Sequence, residues 1–262
     1  MLRDITIGQY YSVDSSIHKM DPRFKIIAST LYLISLFIIQ NIYAYVLVIT
    51  FIGIAIMMSK VPVGFVMRGL KPIFMLIIFA FVINIFLTPG DPFFKWGFIS
   101  ISLEGVERAF FMALRLILLI VGTSLLTLTT SPIELTDGIE YLLNPFKKIG
   151  LPAHELAMMM TIALRFIPTL LEETDKIMKA QMARGADFES GNLMSRAKAL
   201  IPLLVPLFIS AFRRADELAM AMEARCYRGG EGRTRMKVLK YTQYDLRGLL
   251  AMILYLALCI VL

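Results

Sequence analysis

Cysteine, histidine, tryptophan and charge are all scarce in this chain. Two cysteines and two histidines among 262 residues support neither a disulfide framework nor a metal cage. Charged residues make up 18%, against about 25% in soluble domains. No G-x-x-x-x-G-K-[ST] phosphate loop occurs: Gly229-Gly230-Glu231-Gly232-Arg233-Thr234 lacks the lysine and the spacing. His154-Glu155 opens like a zinc helix, but Met158 stands where the second histidine of H-E-x-x-H belongs. No G-x-S-x-G serine is present either. The chain is therefore expected to hold no metal or cofactor and to carry out no chemistry of its own. What it has in excess is grease: 58% hydrophobic residues and a mean hydropathy of +0.72. Neither disorder nor a soluble fold accommodates that. The composition predicts an all-α integral membrane protein.

Five apolar segments run from about Ile26 to Ile39, Tyr43 to Met58, Ile73 to Leu87, Ala109 to Thr130 and Leu246 to Leu262. Several are shorter than the ~20 residues a helix needs to cross hydrocarbon. The polar start of the chain shows no apolar leader, so the first span is expected to serve as an uncleaved anchor. Arg3, Lys19, Arg23 and Lys25 precede that span, and Lys60, Arg68 and Lys71 lie in the second loop. The Gln40-Asn41 hairpin has no basic residue, and the Pro89–Arg108 loop has only Lys95 and Arg108. This alternation places the N-terminus and second loop in the cytoplasm and the C-terminus outside. Three regions result: four spans in 1–130, a cytoplasmic and membrane-level stretch in 131–244, and a last span in 245–262. The net charge of +7 follows from this loop asymmetry and does not indicate nucleic-acid binding. The loop residues Pro89–Ser102 contain the only tryptophan, Trp96, and read as an aromatic anchor on the membrane surface.

The stretch from Ser131 to Gly230 reads as helical throughout. Ser131-Pro132 starts one helix with a serine cap and proline in the first turn. A second helix begins after Gly150-Leu151-Pro152 and runs to Gly185; a third runs from about Asn192 to Arg228, stopped by Gly229-Gly230. Both long helices start apolar and end charged, and Pro168, Pro202 and Pro206 are expected to kink them. Their ends repeat at an offset of 41. Asp175–Gly185 reads DKIMKAQMARG and Asp216–Cys226 reads DELAMAMEARC. Glu172-Glu173 in one copy corresponds to Arg213-Arg214 in the other, a candidate pair of crossing charges.

The repeated ending has two readings. Arg184 and Arg225 serve as plain C-terminal caps against the negative helix end, or as docking tips whose guanidinium forks pair with partner carboxylates. Two copies, each with a small Ala183 or Ala224 before the arginine, favour docking. Met178, Met182, Met220 and Met222 either anchor a partner groove or pack the two helices together. Apart from Arg115 and Asn84, the spans are nearly free of strongly polar side chains, and no Asp or Glu lies between Ile26 and Leu87. An ion-coupled carrier normally keeps such groups. Arg115 needs a partner, for which Glu104, Glu107 or the outer surface are the options.

These residues together resemble a known family. Asp21-Pro22-Arg23-Phe24-Lys25 before the first span, Leu164-Arg165-Phe166-Ile167-Pro168 in the first long helix, Ala183-Arg184-Gly185 ending it, and Ala224-Arg225 ending the next look like the T component of energy-coupling factor (ECF) transporters. The resemblance runs along nearly the whole chain. It departs at Cys226, where the family has a small residue such as glycine or serine, so Gly229 is an alternative helix stop. The resemblance implies a multi-pass cell-membrane scaffold for vitamin uptake that binds two ABC-type ATPases and one substrate-binding S component. It implies that Ala183, Arg184, Gly185, Ala224, Arg225 and Cys226 form the ATPase-coupling tips. ATP would bind the partners only. A dedicated cobalt or nickel T component would share this architecture. An intramembrane enzyme or a channel would not need two long basic helices.

Overall fold

The computed structural model describes residues 10–39, 41–88, 92–96, 99–186, 188, 192, 194, 198–230, 234 and 238–261. The described residues divide into two compact units, one within 10–141 with 239–261 and one within 142–238.

The first unit is a helical bundle. Its elements are α1 (Pro22–Ile38), α2 (Ile42–Ser59), α3 (Val63–Arg68), α4 (Phe74–Leu87), α5 (Leu103–Thr129), α6 (Pro132–Leu143) and α9 (Gln243–Val261). Helix α1 starts four residues before the apolar run read from about Ile26: Asp21 caps it by accepting the Arg23 N–H at 2.9 Å, and Pro22 occupies the first turn. Between α4 and α5, strands β1 (Pro92–Trp96) and β2 (Ile99–Ser102) pair antiparallel, with Trp96 opposite Ile99. The loop between α4 and α5 thus contains a β-hairpin, an addition to an otherwise helical fold. Ser102 ends that hairpin and caps α5, accepting the Gly105 N–H at 3.0 Å.

The core lies where α1, α2, α5 and α9 meet, around Tyr32, Leu36, Tyr45, Val48, Leu118, Leu128 and Tyr255. Side-chain hydroxyls in it are satisfied internally, as a lipid surround requires. Tyr32 donates to the Leu118 carbonyl at 3.0 Å, and the Ser35 and Tyr255 hydroxyls bond at 2.7 Å. Gly122 lets α5 close on α1, since a Cβ there would collide with the Tyr32 ring.

Helix lengths refine the reading of five spans. Among the described residues, α2, α5, α9 and Ala153–Ala183 of the second unit are long and apolar enough to cross a membrane. Helix α1, at 17 residues, and α4, at 14, rise only about 26 and 21 Å, short of the ~30 Å hydrocarbon core. The fourth segment begins earlier than its apolar run. Helix α5 starts at Leu103 and has 27 residues, because Ser102 supplies the cap that hydropathy does not register. The protein is an all-α membrane protein whose spans are of unequal length.

The second unit holds a 3-10 turn (Asn144–Ile149), α7 (Ala153–Ala183) and α8 (Ile201–Ala224). The turn ends at Gly150, whose φ is +90°. Helix α7 has 31 residues and α8 has 24, or about 46 and 36 Å. Each continues as one element through its internal proline, Pro168 or Pro206. Pro202 does not interrupt a helix. It sits in the first turn of α8, where its missing N–H would have had no partner anyway.

Candidate functional site

The site is built from two helix endings with the same backbone geometry. Helix α7 ends at Ala183, with Arg184 as its cap residue at φ −91° and ψ 6°. The Gly185 N–H donates to the Met182 carbonyl at 2.9 Å, and the Ala186 N–H to the Gln181 carbonyl at 3.0 Å. Helix α8 ends at Ala224, with Arg225 at φ −91° and ψ 13°. The Cys226 N–H donates to the Glu223 carbonyl at 2.9 Å, and the Tyr227 N–H to the Met222 carbonyl at 3.0 Å. Both are Schellman motifs, in which a left-handed residue satisfies the last carbonyls.

The left-handed position is Gly185 at φ +89° in one copy and Cys226 at φ +54° in the other. Helix α8 therefore stops at Ala224 and not at Gly229, and the reading of a helix reaching Arg228 is corrected. The backbone places Cys226 in glycine's role despite its side chain. The physical reason is that the two Schellman hydrogen bonds of Cys226 and Tyr227 offset the steric cost of its Cβ.

All six residues of the tips, Ala183, Arg184, Gly185, Ala224, Arg225 and Cys226, are exposed. Neither arginine side chain has an ion-pair or hydrogen-bond partner among the described residues. The last carbonyls are capped by backbone N–H groups, so neither guanidinium is spent on a hydrogen bond to its own helix end. Of the methionines, Met182 and Met220 are exposed, while Met178 and Met222 are half-buried.

The candidate crossing charges separate. Glu173 and Arg214 form an ion pair at 3.0 Å between α7 and α8. Glu172 and Arg213 are exposed and make no ion pair among the described residues. The paired residues are 41 positions apart, the offset of the repeat itself, so equivalent positions of the two copies meet. Gln181 of α7 also reaches the Pro202 carbonyl at the start of α8, at 3.4 Å. Moving forward along α7 is moving backward along α8, so the helices pass antiparallel. Glu173 lies eleven residues before Arg184, and Arg214 eleven before Arg225, an arm of about 16 Å each. The two arginines therefore sit at opposite ends of a balanced cross.

Apolar surface accompanies the tips. Ile201, Leu204, Val205, Phe208, Ile209 and Phe212 are all exposed and share one helical face by their spacing. Phe208 and Phe212 keep 61% and 68% of their surface free. Arg165 of the LRFIP run is exposed on α7. His154, the false start of a zinc helix, bonds the Tyr227 hydroxyl at 3.2 Å and so ties the base of α7 to the segment after the α8 tip. Among the described residues no group of three His, Cys, Asp or Glu side chains is placed to hold a metal ion.

In the first unit, the Asp-Pro-Arg-Phe-Lys run makes a lock that sequence reasoning left unexplained. Arg23 donates to both Asp21 oxygens, at 2.9 and 2.7 Å, and its guanidinium lies 4.6 Å from the Tyr141 ring and 4.3 Å from the Tyr241 ring. The Asp21 N–H donates to Asp245 Oδ1 at 2.7 Å. Asp245 also receives the Thr242 N–H and hydroxyl, at 2.6 and 2.8 Å. Burial alone would push the Asp21 carboxyl up, but the Arg23 hydrogen bonds and charge hold it below its ordinary value. Lys25, just ahead of the apolar run, donates to the carbonyls of His18 and Thr129 at 3.1 and 2.9 Å. Burial pushes its ammonium down to about 8. The His18 imidazole is likewise pushed down by burial. Arg115 finds neutral partners instead of Glu104 or Glu107: the Tyr45 hydroxyl at 3.2 Å and the Ile39 carbonyl at 3.1 Å. That carbonyl belongs to the residue capping α1, so the cation answers the negative helix end. The contacts with Asp245, Tyr141, Tyr241 and the Ile39 carbonyl had no local signal, because those partners lie far away in sequence.

Comparison with known proteins identifies the family. Residues 14–236 match the CbiQ family, described as cobalt transport protein. Relatives named energy-coupling factor transporter transmembrane protein EcfT include one from Clostridium kluyveri, 65% identical over 94% of this chain and 92% of its own length. The one from Acidaminococcus fermentans is 58% identical over 97% and 96% of the two chains. That from Bacillus subtilis is 50% identical over 98% of each. The chain belongs to the CbiQ family and is a transmembrane component of an energy-coupling factor transporter.

Proposed function

We propose that the chain is the non-catalytic coupling subunit of its transporter, passing the motion of two ABC-type ATPases to a substrate-binding S component that captures a vitamin. The observation that carries this reading is the twin arginine tip. Two cations without partners among the described residues, on identical Schellman endings, stand at opposite ends of a balanced antiparallel cross. One tip serves each ATPase, whose acidic groove takes the guanidinium as a charge-assisted pair. Exposed Met182 and Met220 supply adaptable apolar contact beside it. ATP stays with the partners. When nucleotide closes them, the tips are driven relative to one another about the Glu173–Arg214 crossing. The apolar face of α8 from Ile201 to Phe212, with the first half of α7, forms the membrane-level surface under the S component. Its reshaping lets the substrate go inward. The Lys and Arg distribution puts the N-terminus and both tips in the cytoplasm and the C-terminus outside.

Co-purification of the ATPases with Arg184→Glu/Arg225→Glu tests the reading. The double variant should insert in the membrane yet lose the ATPases, and each single variant should be partly defective. Each buried charge contact is worth about 2–5 kcal/mol. Normal ATPase recovery with the double variant would sink the docking role. The cobalt description of the matching family favours a second reading, a dedicated cobalt or nickel system. Uptake measured with cobalt and with vitamins in the same cells separates the two.

A further inference from the structure

The first unit contains an apolar cavity of about 470 Å³ that the coupling role does not use. It lies between α2 and α9 over a floor of α1 and α5, with Tyr32, Ala55 and Ala251 among its walls. Its volume is in the range of small-molecule sites, ~300–1,000 Å³. Its lining includes Lys25, Tyr244 and Arg247, and Gly248, next to Arg247, lies against the ring of Phe24, next to Lys25. From Arg247 to Leu258, the last residue of α9 that lines it, is eleven residues, or about 16 Å. That is roughly half of the ~30 Å hydrocarbon core, the depth of a single leaflet.

The mouth carries two cations, Lys25 and Arg247, and the carboxylates that act on Lys25 are Glu134, Asp245 and Asp21. Arg247 is exposed and has no ion pair or hydrogen bond among the described residues. Lys25 spends two donors on the His18 and Thr129 carbonyls, and an ammonium has three. Asp245, two residues before Arg247, is buried and accepts from the Asp21 N–H and from Thr242, and it makes no ion pair with the arginine. The cavity is too small for a further helix, whose diameter with side chains is about 10–12 Å, and α2 and α9 already pack against one another beside it. We propose that this groove binds one phospholipid, one of its two acyl chains between α2 and α9 and its anionic phosphate headgroup held by Arg247 and the third donor of Lys25.

Native mass spectrometry of the full chain, delipidated in mild detergent and titrated with phosphatidylglycerol or phosphatidylcholine, tests this. The wild-type chain should retain one phosphatidylglycerol above the background of loosely bound lipid. Arg247→Gln, a change at an exposed position, should weaken that adduct about five-fold and reduce the preference over phosphatidylcholine. Arg247→Lys should restore most of it. Ala251→Trp, which fills the groove, should lose both lipids. Equal phosphatidylglycerol retention by wild type and Arg247→Gln, or a co-purified polypeptide displacing the lipid, would overturn the assignment.

Discussion

The arginines of the two units make opposite use of the same side chain. Arg23 is buried, paired twice with Asp21 and stacked between Tyr141 and Tyr241. Arg184 and Arg225 are exposed and have no such contact among the described residues. A cation paired with a carboxylate inside the chain holds a fold together. One left at a helix tip whose cap is already complete is free to recognise something else. The difference lies in the surroundings, since all three arginines stand within a residue or two of a helix end.

The largest expected effect comes from breaking the buried side of this contrast. Arg23→Ala should lower thermal stability in detergent by about 3–5 kcal/mol, because the Asp21 carboxylate stays buried without its partner. Arg184→Ala should change it by no more than about 0.5 kcal/mol. Comparable losses from the two substitutions would erase the distinction.

Lys25 sharpens it by pH. Its ordinary value of 10.5 applies to the unfolded chain, and burial lowers it to about 8 in the fold. Between those values the unfolded chain binds more protons, so raising the pH favours the fold, by about 3 kcal/mol over the window. Below pH 8 this group adds no slope. Melting curves from pH 8 to 10 should rise for the wild-type protein and flatten for Lys25→Met.

Smaller effects separate the two halves of the cross. The Glu173–Arg214 pair is partly exposed, with side-chain accessibilities of 23% and 36%, so it contributes no more than about 1 kcal/mol to stability. Reversing either charge should weaken ATPase-coupled uptake, and Glu173→Arg/Arg214→Glu should recover it, if the crossing is a pivot. Least of all, Cys226→Gly should stabilise the α8 tip by about 0.5–1 kcal/mol, while Gly185→Ala should cost the α7 tip about 1 kcal/mol. Amide hydrogen exchange at Tyr227 and Ala186 reads each tip directly.

Much was legible along the chain because its cause is local. Apolar runs predict α2, α5 and α9, and Ser131-Pro132 predicts α6: the Ser131 hydroxyl accepts the Glu134 N–H at 3.3 Å, as a cap should. The Ala-Arg endings mark both tips, since a helix stop is decided within a few residues. Local signals also misled. Gly229-Gly230 looks like the stop of α8, yet Cys226 takes the left-handed turn. Pro202 looks like a kink and proves to be a first-turn residue.

Sequence by itself determined the membrane class, the repeated ending and the charges that it carries, because these depend on composition and on spacing within single helices. Tertiary structure decided which charges are used up. Asp21 meets Asp245 from 224 positions away, Arg115 finds the Ile39 carbonyl in place of a nearby glutamate, and only one of two candidate charge pairs closes across the helices. Such pairings depend on where separate helices cross, and hydrogen-bond distances of about 3 Å are set by packing that no local run of residues encodes.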